Sequence, residues 1–131
     1  MQRPKTLTDA GFDLYFDTSR LRDLPIPTEE KDIQDLIWCF DFPVWEKVGT
    51  DDWNLTPREV IENKPYASEH RKRIDAVDLS FPIVVIFNKD KWVIVDGIHR
   101  LVKAYMEGHK MVKVKIIQKD DESYKNAILT L

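Results

Sequence analysis

The sequence has a single cysteine, few glycines and no long hydrophobic run. One cysteine excludes a disulfide within the chain of 131 residues, and no Cys/His spacing is typical of a zinc site. The longest apolar run covers residues 81–87, which is far too short to cross a bilayer. The polar start at residues 1–5 lacks the apolar region of a signal peptide. We therefore expect a cytoplasmic protein with no membrane partner, no redox chemistry and no structural metal.

The composition predicts one globular domain, with 43% hydrophobic and 33% charged residues. The net charge of −3 hides an asymmetry between the halves of the chain. Residues 1–63 contain 7 basic and 14 acidic residues, a balance of −7, whereas residues 64–131 contain 13 and 9, a balance of +4. A basic neighbourhood attracts an anionic ligand, but a nucleic-acid binder has a stronger basic excess. The charge therefore favours a nucleotide over DNA.

The segment most typical of a site is Asp96-Gly97-Ile98-His99-Arg100. Before it, the apolar runs 81–87 and 92–95 are separated by the turn residues 88–90, which predicts a buried β-hairpin. After it, apolar residues recur at helical spacing up to Met106. Gly108 follows as the predicted helix stop. The segment is thus expected to begin a helix.

A helix start binds anions because it has free backbone N–H groups and the positive end of the helix dipole. Gly97 lets a ligand approach the backbone, and His99, Arg100 and Lys103 lie on the polar arc of the predicted helix. These features predict a phosphate site. Two structural interpretations stay open at this point. Asp96 can instead be an N-cap, and Lys103 can belong to a solvated face.

Other elements are expected on both sides of this segment. Residues 12–16 read as a short strand and residues 28–39 as a capped helix, with Cys39 in the core. The two tryptophans at positions 45 and 53 either cover the core or form an aromatic wall for a base. Residues 56–61 read as a helix with a proline at its first position. A strand at 112–116 and a last helix from Asp120 complete the pattern.

A further helix is expected after Ser68. On it, His70, Ile74 and Val77 share one apolar face, and Arg73 lies beside them. A histidine at such a position is either a core residue or a polar group at the edge of a cleft.

The order of these elements over residues 54–118 resembles the ParB/sulfiredoxin superfamily, with Asp-Gly-X-His-Arg between a strand and a helix. The resemblance implies an α+β fold: a single compact domain with a small mixed sheet packed with helices. Residues 51–131 would form this domain, and residues 1–50 an N-terminal extension packed on its core. It also implies that nucleotide phosphates bind at the helix start. The binding residues implied are Gly97, Ile98, His99, Arg100, Lys103, His70 and Arg73.

Members of this superfamily differ in activity, and the residues discriminate among them. Sulfiredoxins carry their reactive cysteine where this chain has Ile98, which has no nucleophilic sulfur. The DNA clamp of ParB needs two further domains, for which we expect no room in 131 residues. The motif is closest in its letters to that of the free serine kinases. We therefore expect a nucleotide-dependent phosphotransferase or nucleotide hydrolase, and not a sulfiredoxin.

The expected cofactor is ATP, ADP or CTP, with Mg²⁺ bridged by phosphate oxygens and Asp96. His99 and Asp96 are the expected catalytic residues, and the acceptor is an unidentified small molecule. A carboxylate base is also needed, for which Glu59, Asp51 and Asp52 are equal candidates. The alternative is a non-catalytic module that senses a nucleotide or acts within a DNA-associated system.

Overall fold

The computed structural model describes residues 3–14, 16, 21, 25–50 and 52–118. They form a four-stranded mixed sheet packed with helices, which confirms the predicted α+β class. The described helices are α1 (Lys5–Ala10), α2 (Pro57–Ile61), α3 (Ser68–Ala76) and α4 (Ile98–Met106), with short 3-10 helices at Ile33–Asp35, Ile37–Asp41 and Pro65–Ala67. The strands are β1 (Glu29–Asp32), β2 (Ile83–Asn88), β3 (Lys91–Asp96) and β4 (Met111–Ile117). Within the described ranges, no helix is long and apolar enough to span a membrane.

The predicted hairpin is confirmed as the antiparallel pair β2 and β3. Its two turn residues, Lys89 and Asp90, have φ angles of 51° and 64°. Tight hairpins of the most favoured kind need positive φ at both central residues, which aspartate and asparagine tolerate better than most. All but one of the side chains of β2 are buried, as expected for a strand in the middle of the sheet.

The predicted helix and returning strand are also confirmed. Helix α4 buries Leu101, Val102 and Ala104, and Gly108 follows it with a φ of 82°. Strand β4 then runs parallel to β2 and antiparallel to β1, so the strand order is β1-β4-β2-β3. The start of α4 therefore directly follows the end of β3, an edge strand that pairs with the inner strand β2.

The helix predicted over residues 28–39 is wrong. This segment begins with β1, which pairs with β4, and continues as two 3-10 helices. The Asp32 side chain accepts a hydrogen bond from the Gln34 amide at 2.9 Å, and the Ile33 amide donates to the Lys110 carbonyl. Pairing with the open edge of β4 satisfies the backbone here, and this tertiary contact overrides the helical spacing of the apolar residues.

The remaining expectations for the fold have different outcomes. The strand expected over residues 12–16 is not formed at residues 12–14, and Phe16 takes part only in an isolated bridge, although Phe12 is buried. The expected helix from Asp120 lies outside the described residues. Cys39 is confirmed as a core residue, since its side chain is 1% exposed and burial raises the pKa of its thiol to about 12. The division of the chain at residue 50 stays a prediction.

The two helices that precede the hairpin begin close to their predicted positions. Helix α2 starts with a capping box, in which the Thr56 hydroxyl accepts from the Glu59 amide and the Glu59 carboxylate accepts from the Thr56 amide. Helix α3 buries His70 and Ile74 on one face, as predicted, and ends before Val77. This face of α3 packs towards α4.

Candidate functional site

The turn from β3 into α4 is built on glycine and leaves backbone donors unpaired at the helix start. Gly97 is the N-cap with a φ of 110°, a backbone conformation that other residues rarely adopt. A Cβ there would lie 3.3 Å from Cγ1 of Ile83 and 3.4 Å from the Arg100 guanidinium. The backbone N–H groups of Ile98, His99 and Arg100 donate to no other described residue. Three donors at the positive end of a nine-residue helix are therefore available to an anion.

Asp96 is not the N-cap of α4, so that interpretation is wrong. Its carboxylate instead accepts a hydrogen bond from the Arg100 guanidinium at 3.2 Å. Arg100 also donates to the Pro82 carbonyl at 2.7 Å. The guanidinium thus joins the end of β3 to the segment before β2. Because a guanidinium has five N–H donors and these contacts use two of them, Arg100 keeps further donors for a ligand.

His99 and His70 form an aromatic stack with Trp45. The two imidazoles are joined edge to edge by a hydrogen bond of 3.0 Å between Nε2 of His99 and Nδ1 of His70. Both lie on the Trp45 indole, with ring centroids 4.4 and 4.5 Å away and interplanar angles of 18° and 10°. An isolated antiparallel β-bridge with Leu55 holds the backbone of Trp45 in place. With 8% of its surface exposed, the indole has no face open to a nucleobase, so it serves as a platform for the two histidines.

Both histidines of the stack have pKa values below the ordinary value of a histidine. Burial is the main cause for His99, and the charge of Arg73 adds to it, so that the pKa of His99 falls to about 3. Burial also lowers the pKa of His70, while its bond to the Glu46 carbonyl opposes this. Both imidazoles are therefore neutral at pH 7.

We expect the free energy of unfolding to fall as the pH is lowered from 7 to 5. The pKa of His99 is about 3 in the folded protein, against 6.5 for an ordinary histidine. Between these values the unfolded chain binds a proton that the folded protein does not, so acid favours unfolding. For this residue the slope is at most about 1.4 kcal/mol per pH unit. Urea denaturation at several pH values measures it.

Two variants separate the contribution of His99 from the rest of the chain. His99→Gln removes the group and is expected to reduce the fall in stability between pH 7 and 5. His109→Gln removes an exposed imidazole outside the stack, and the contribution of His99 should persist in it. An equal pH dependence in the wild type and in His99→Gln would contradict the prediction.

The two other predicted cations occupy different surroundings. Arg73 is exposed on α3, and its charge lowers the pKa of His99, which places it near the start of α4. Lys103 donates to the carbonyls of Asp75 and Val77 at 3.2 and 2.8 Å. These carbonyls lie at the C-terminal end of α3, where a cation is favourable. Lys103 thus joins α4 to α3 and does not lie in the open.

A cavity of about 500 Å³ adjoins the start of α4 on the side of Arg100. The motif contributes Asp96 and Arg100 to its wall, while apolar side chains supply much of the remainder. His70 and His99 are not among its lining residues. The start of α4 therefore lies between two different environments, the cavity and the histidine stack. The lining residues are Leu21, Ala76, Val77, Asp78, Phe81, Pro82, Val84, Asp96, Arg100 and Lys115.

The candidates for a carboxylate base are engaged elsewhere or not described. Glu59 accepts hydrogen bonds from Thr56 through one carboxylate oxygen and from the Tyr66 hydroxyl through the other. Asp52 accepts from the Trp53 amide at 2.8 Å, and Asp51 lies outside the described residues. Among the residues that the structure describes, no group of three His, Cys, Asp or Glu side chains could hold a metal ion.

The sequence predicted the helices that carry His70 and His99 but not the Trp45 indole on which both imidazoles stack. Trp45 was expected to cover the core or to form a wall for a base, and its contact with both imidazoles was not predicted. The Glu46 carbonyl, which bonds His70, was missed too. Neither residue has a sequence signal, because both lie in an irregular segment whose path depends on the bridge between Trp45 and Leu55.

Comparisons with known proteins give two weak likenesses in structure. The first is to the C-terminally truncated chromosome-partitioning protein ParB from Caulobacter crescentus complexed with CTP-gamma-S, with 18% identity and a TM-score of 0.40. It covers 74% of this chain and 47% of the ParB chain, so this chain spans about half of that structure. The second is to sulfiredoxin from Arabidopsis thaliana, with 18% identity, a TM-score of 0.38 and coverage of 76% and 94%.

Both structures belong to the ParB/sulfiredoxin superfamily that the sequence resembles. No protein-family model and no curated protein matches the sequence. With TM-scores below 0.5, neither likeness indicates what this chain binds or does.

Proposed function

We propose that this protein binds a nucleotide with its phosphates at the start of α4. The observation that carries the proposal is the group of three backbone N–H donors, at Ile98, His99 and Arg100, that have no acceptor among the described residues. They lie at the positive end of the helix dipole, a position that favours phosphate oxygens. Gly97 supports the same conclusion because its φ of 110° and the absence of a Cβ let the Arg100 guanidinium lie against the turn, beside these donors.

The charges around the helix start support an anionic ligand. Arg100 contributes a guanidinium with unused donors, and Arg73 contributes an exposed positive charge from α3. An arginine matches the geometry of phosphate oxygens through paired N–H groups. His70 contributes indirectly through His99, and Lys103 by fixing α4 against α3.

The cavity beside Arg100 supports a nucleotide rather than a free phosphate. Its volume of about 500 Å³ falls in the range of small-molecule sites, which are mostly apolar with a few polar groups. Its apolar wall, which includes Phe81 and Val84, suits a base or a ribose, while Arg100 and Asp96 lie at the phosphate end.

The finer proposal is phosphoryl transfer from ATP, ADP or CTP to a small-molecule acceptor, or hydrolysis of the nucleotide. His99 would contact the transferred group through its backbone N–H, and Mg²⁺ would be held by phosphate oxygens with Asp96 as a protein ligand. One observation favours the second candidate, a module that binds a nucleotide without turnover: both carboxylate oxygens of Glu59 already accept hydrogen bonds, from Thr56 and Tyr66. Production of inorganic phosphate or of a phosphorylated acceptor favours the enzyme, and tight binding without turnover favours the module.

We expect a nucleotide to raise the melting temperature of the wild type and to do so much less for Arg73→Ala. A ligand at about a hundred times its dissociation constant adds roughly 2.7 kcal/mol to the free energy of unfolding. ATP, ADP, CTP and GTP are titrated with and without Mg²⁺ in a thermal-shift assay. Arg73 is a better test than Arg100 because its loss removes a charge without breaking a described hydrogen bond.

Lys72→Ala is the matched control for this experiment. Lys72 is the exposed neighbour of Arg73 on α3 and pairs with Glu69, so its loss removes the same charge from the same helix. Its response to nucleotide should equal that of the wild type. If no nucleotide raises the melting temperature of the wild type, the proposal is overturned. If Arg73→Ala and Lys72→Ala lose the same part of this rise, Arg73 contributes only a general charge effect.

A further inference from the structure

The hydrogen bonds of His70 determine which nitrogen of each histidine carries a proton. Nε2 of His70 lies 3.2 Å from the Glu46 carbonyl oxygen. Because a carbonyl can only accept, Nε2 of His70 must carry the proton of this bond. In a neutral imidazole, Nδ1 of His70 is then an acceptor. Its partner at 3.0 Å, Nε2 of His99, must therefore be the donor.

These two hydrogen bonds leave Nδ1 of His99 as an acceptor that has no donor. Within the described part of the chain it has no hydrogen-bond partner, and it is not fully buried. The ring cannot easily rotate to exchange its nitrogens, because it lies on the Trp45 indole at an angle of 18° and is bonded to His70 at its edge. His70 is 7% exposed, so water does not compete for this bond.

We propose that His70 is a positioning residue that holds His99 in the tautomer with its proton on Nε2, so that His99 presents Nδ1 as a hydrogen-bond acceptor at the start of α4. The inference deepens the proposed function and rests on it for the ligand, but the tautomer itself can be measured without any ligand. The Glu46 carbonyl sets the direction of the bonds, and Trp45 holds both rings in one plane.

The acceptor at Nδ1 of His99 restricts the class of ligand that fits the start of α4. The groups around the helix start are mainly donors: three backbone N–H groups and the guanidinium of Arg100. Phosphate oxygens satisfy these donors, but a fully ionised phosphate cannot satisfy Nδ1 of His99, because both are acceptors. The ligand that fits brings a hydroxyl group or a bound water molecule next to its phosphate. A hydroxyl in that position can be an acceptor substrate or part of the nucleotide itself.

The tautomer is tested by nitrogen-15 NMR of the imidazoles in the full-length protein at pH 7. Unprotonated and protonated ring nitrogens have clearly different chemical shifts, and His109→Gln assigns the third histidine without touching the stack. In the wild type we expect Nε2 of His99 to be protonated and Nδ1 unprotonated. A proton on Nδ1 of His99 would overturn the proposal directly.

Two substitutions of His70 then test its role. His70→Asn places a side-chain carbonyl oxygen near the position of Nδ1, so it keeps an acceptor for His99 and should keep the tautomer. His70→Leu removes the acceptor, and His99 should become a mixture of both tautomers. Circular dichroism establishes that each variant is folded. A tautomer that stays unchanged in folded His70→Leu would overturn the positioning role, and the wild-type spectrum decides the matter if that variant does not fold.

Adding ATP to the wild type separates this inference from the proposed function. A change in the shift of Nδ1 of His99 is expected as the ligand donates to it. If ATP raises the melting temperature but leaves Nδ1 unchanged, the role of His99 is overturned and nucleotide binding stands. If no nucleotide binds although the tautomer is as expected, the proposed function fails, and the restriction on the ligand is overturned with it.

Discussion

Replacing Trp45 with alanine is expected to lower the free energy of unfolding by about 3–5 kcal/mol, the usual cost of removing a large buried aromatic side chain. The loss corresponds to a fall in melting temperature on the order of 10–20 °C. Trp45 is 8% exposed and contacts both imidazoles, so the variant leaves a cavity beneath them. Urea denaturation and thermal unfolding measure the change.

The same substitution should raise the pKa of His99 from about 3 towards the ordinary value of 6.5, because burial is the main cause of its depression. Trp45→Phe is the matched control, since it keeps an aromatic face below the rings. Its loss of stability and its rise in the pKa of His99 should both be small. NMR titration of the His99 imidazole follows the pKa. A pKa that stays near 3 in Trp45→Ala would mean that the indole is not what buries the ring.

Replacing Arg100 with alanine is expected to lower the free energy of unfolding by about 2–3 kcal/mol. The variant loses the bonds to the Pro82 carbonyl and the Asp96 carboxylate, and it leaves that carboxylate without its partner. The pair is not fully buried, with side chains 17% and 22% exposed. The loss in the free energy of unfolding should therefore be smaller than the roughly 3–5 kcal/mol that breaking a buried ion pair costs.

The reference variant for this stability effect is Arg73→Ala, which removes an arginine that is exposed on α3. Surface substitutions of this kind usually change the free energy of unfolding by less than about 0.5 kcal/mol. Both variants should bind nucleotide less well, but only Arg100→Ala should be destabilised before any ligand is added. Equal stability of the two would contradict the structural role of Arg100.

The elements that the sequence predicted correctly are those whose causes are local. The hairpin turn at residues 88–90 and the capping box of α2 have short sequence signatures. Helix α4 has an apolar face at regular spacing, followed by Gly108. In each case the residues that decide the structure are neighbours in the chain.

The features that the sequence did not predict have causes that are distant in the chain. Residues 28–39 carry helical spacing, but β4 offers an edge with which β1 pairs. Lys103 lies on the polar arc of its helix, yet it is bonded to the end of α3. No local pattern signals any of these partners.

The sequence by itself determined the class of the fold, the hairpin, the glycine turn and the helix that begins at Ile98, because backbone geometry and apolar periodicity depend on neighbouring residues. The tertiary structure alone decided what surrounds that helix start. It brought Trp45 under His70 and His99, placed the Arg100 guanidinium on the Pro82 carbonyl, and formed a cavity beside Arg100. Residues up to 54 positions apart along the chain meet at these contacts, and only the packing of α3, α4 and the sheet brings them together.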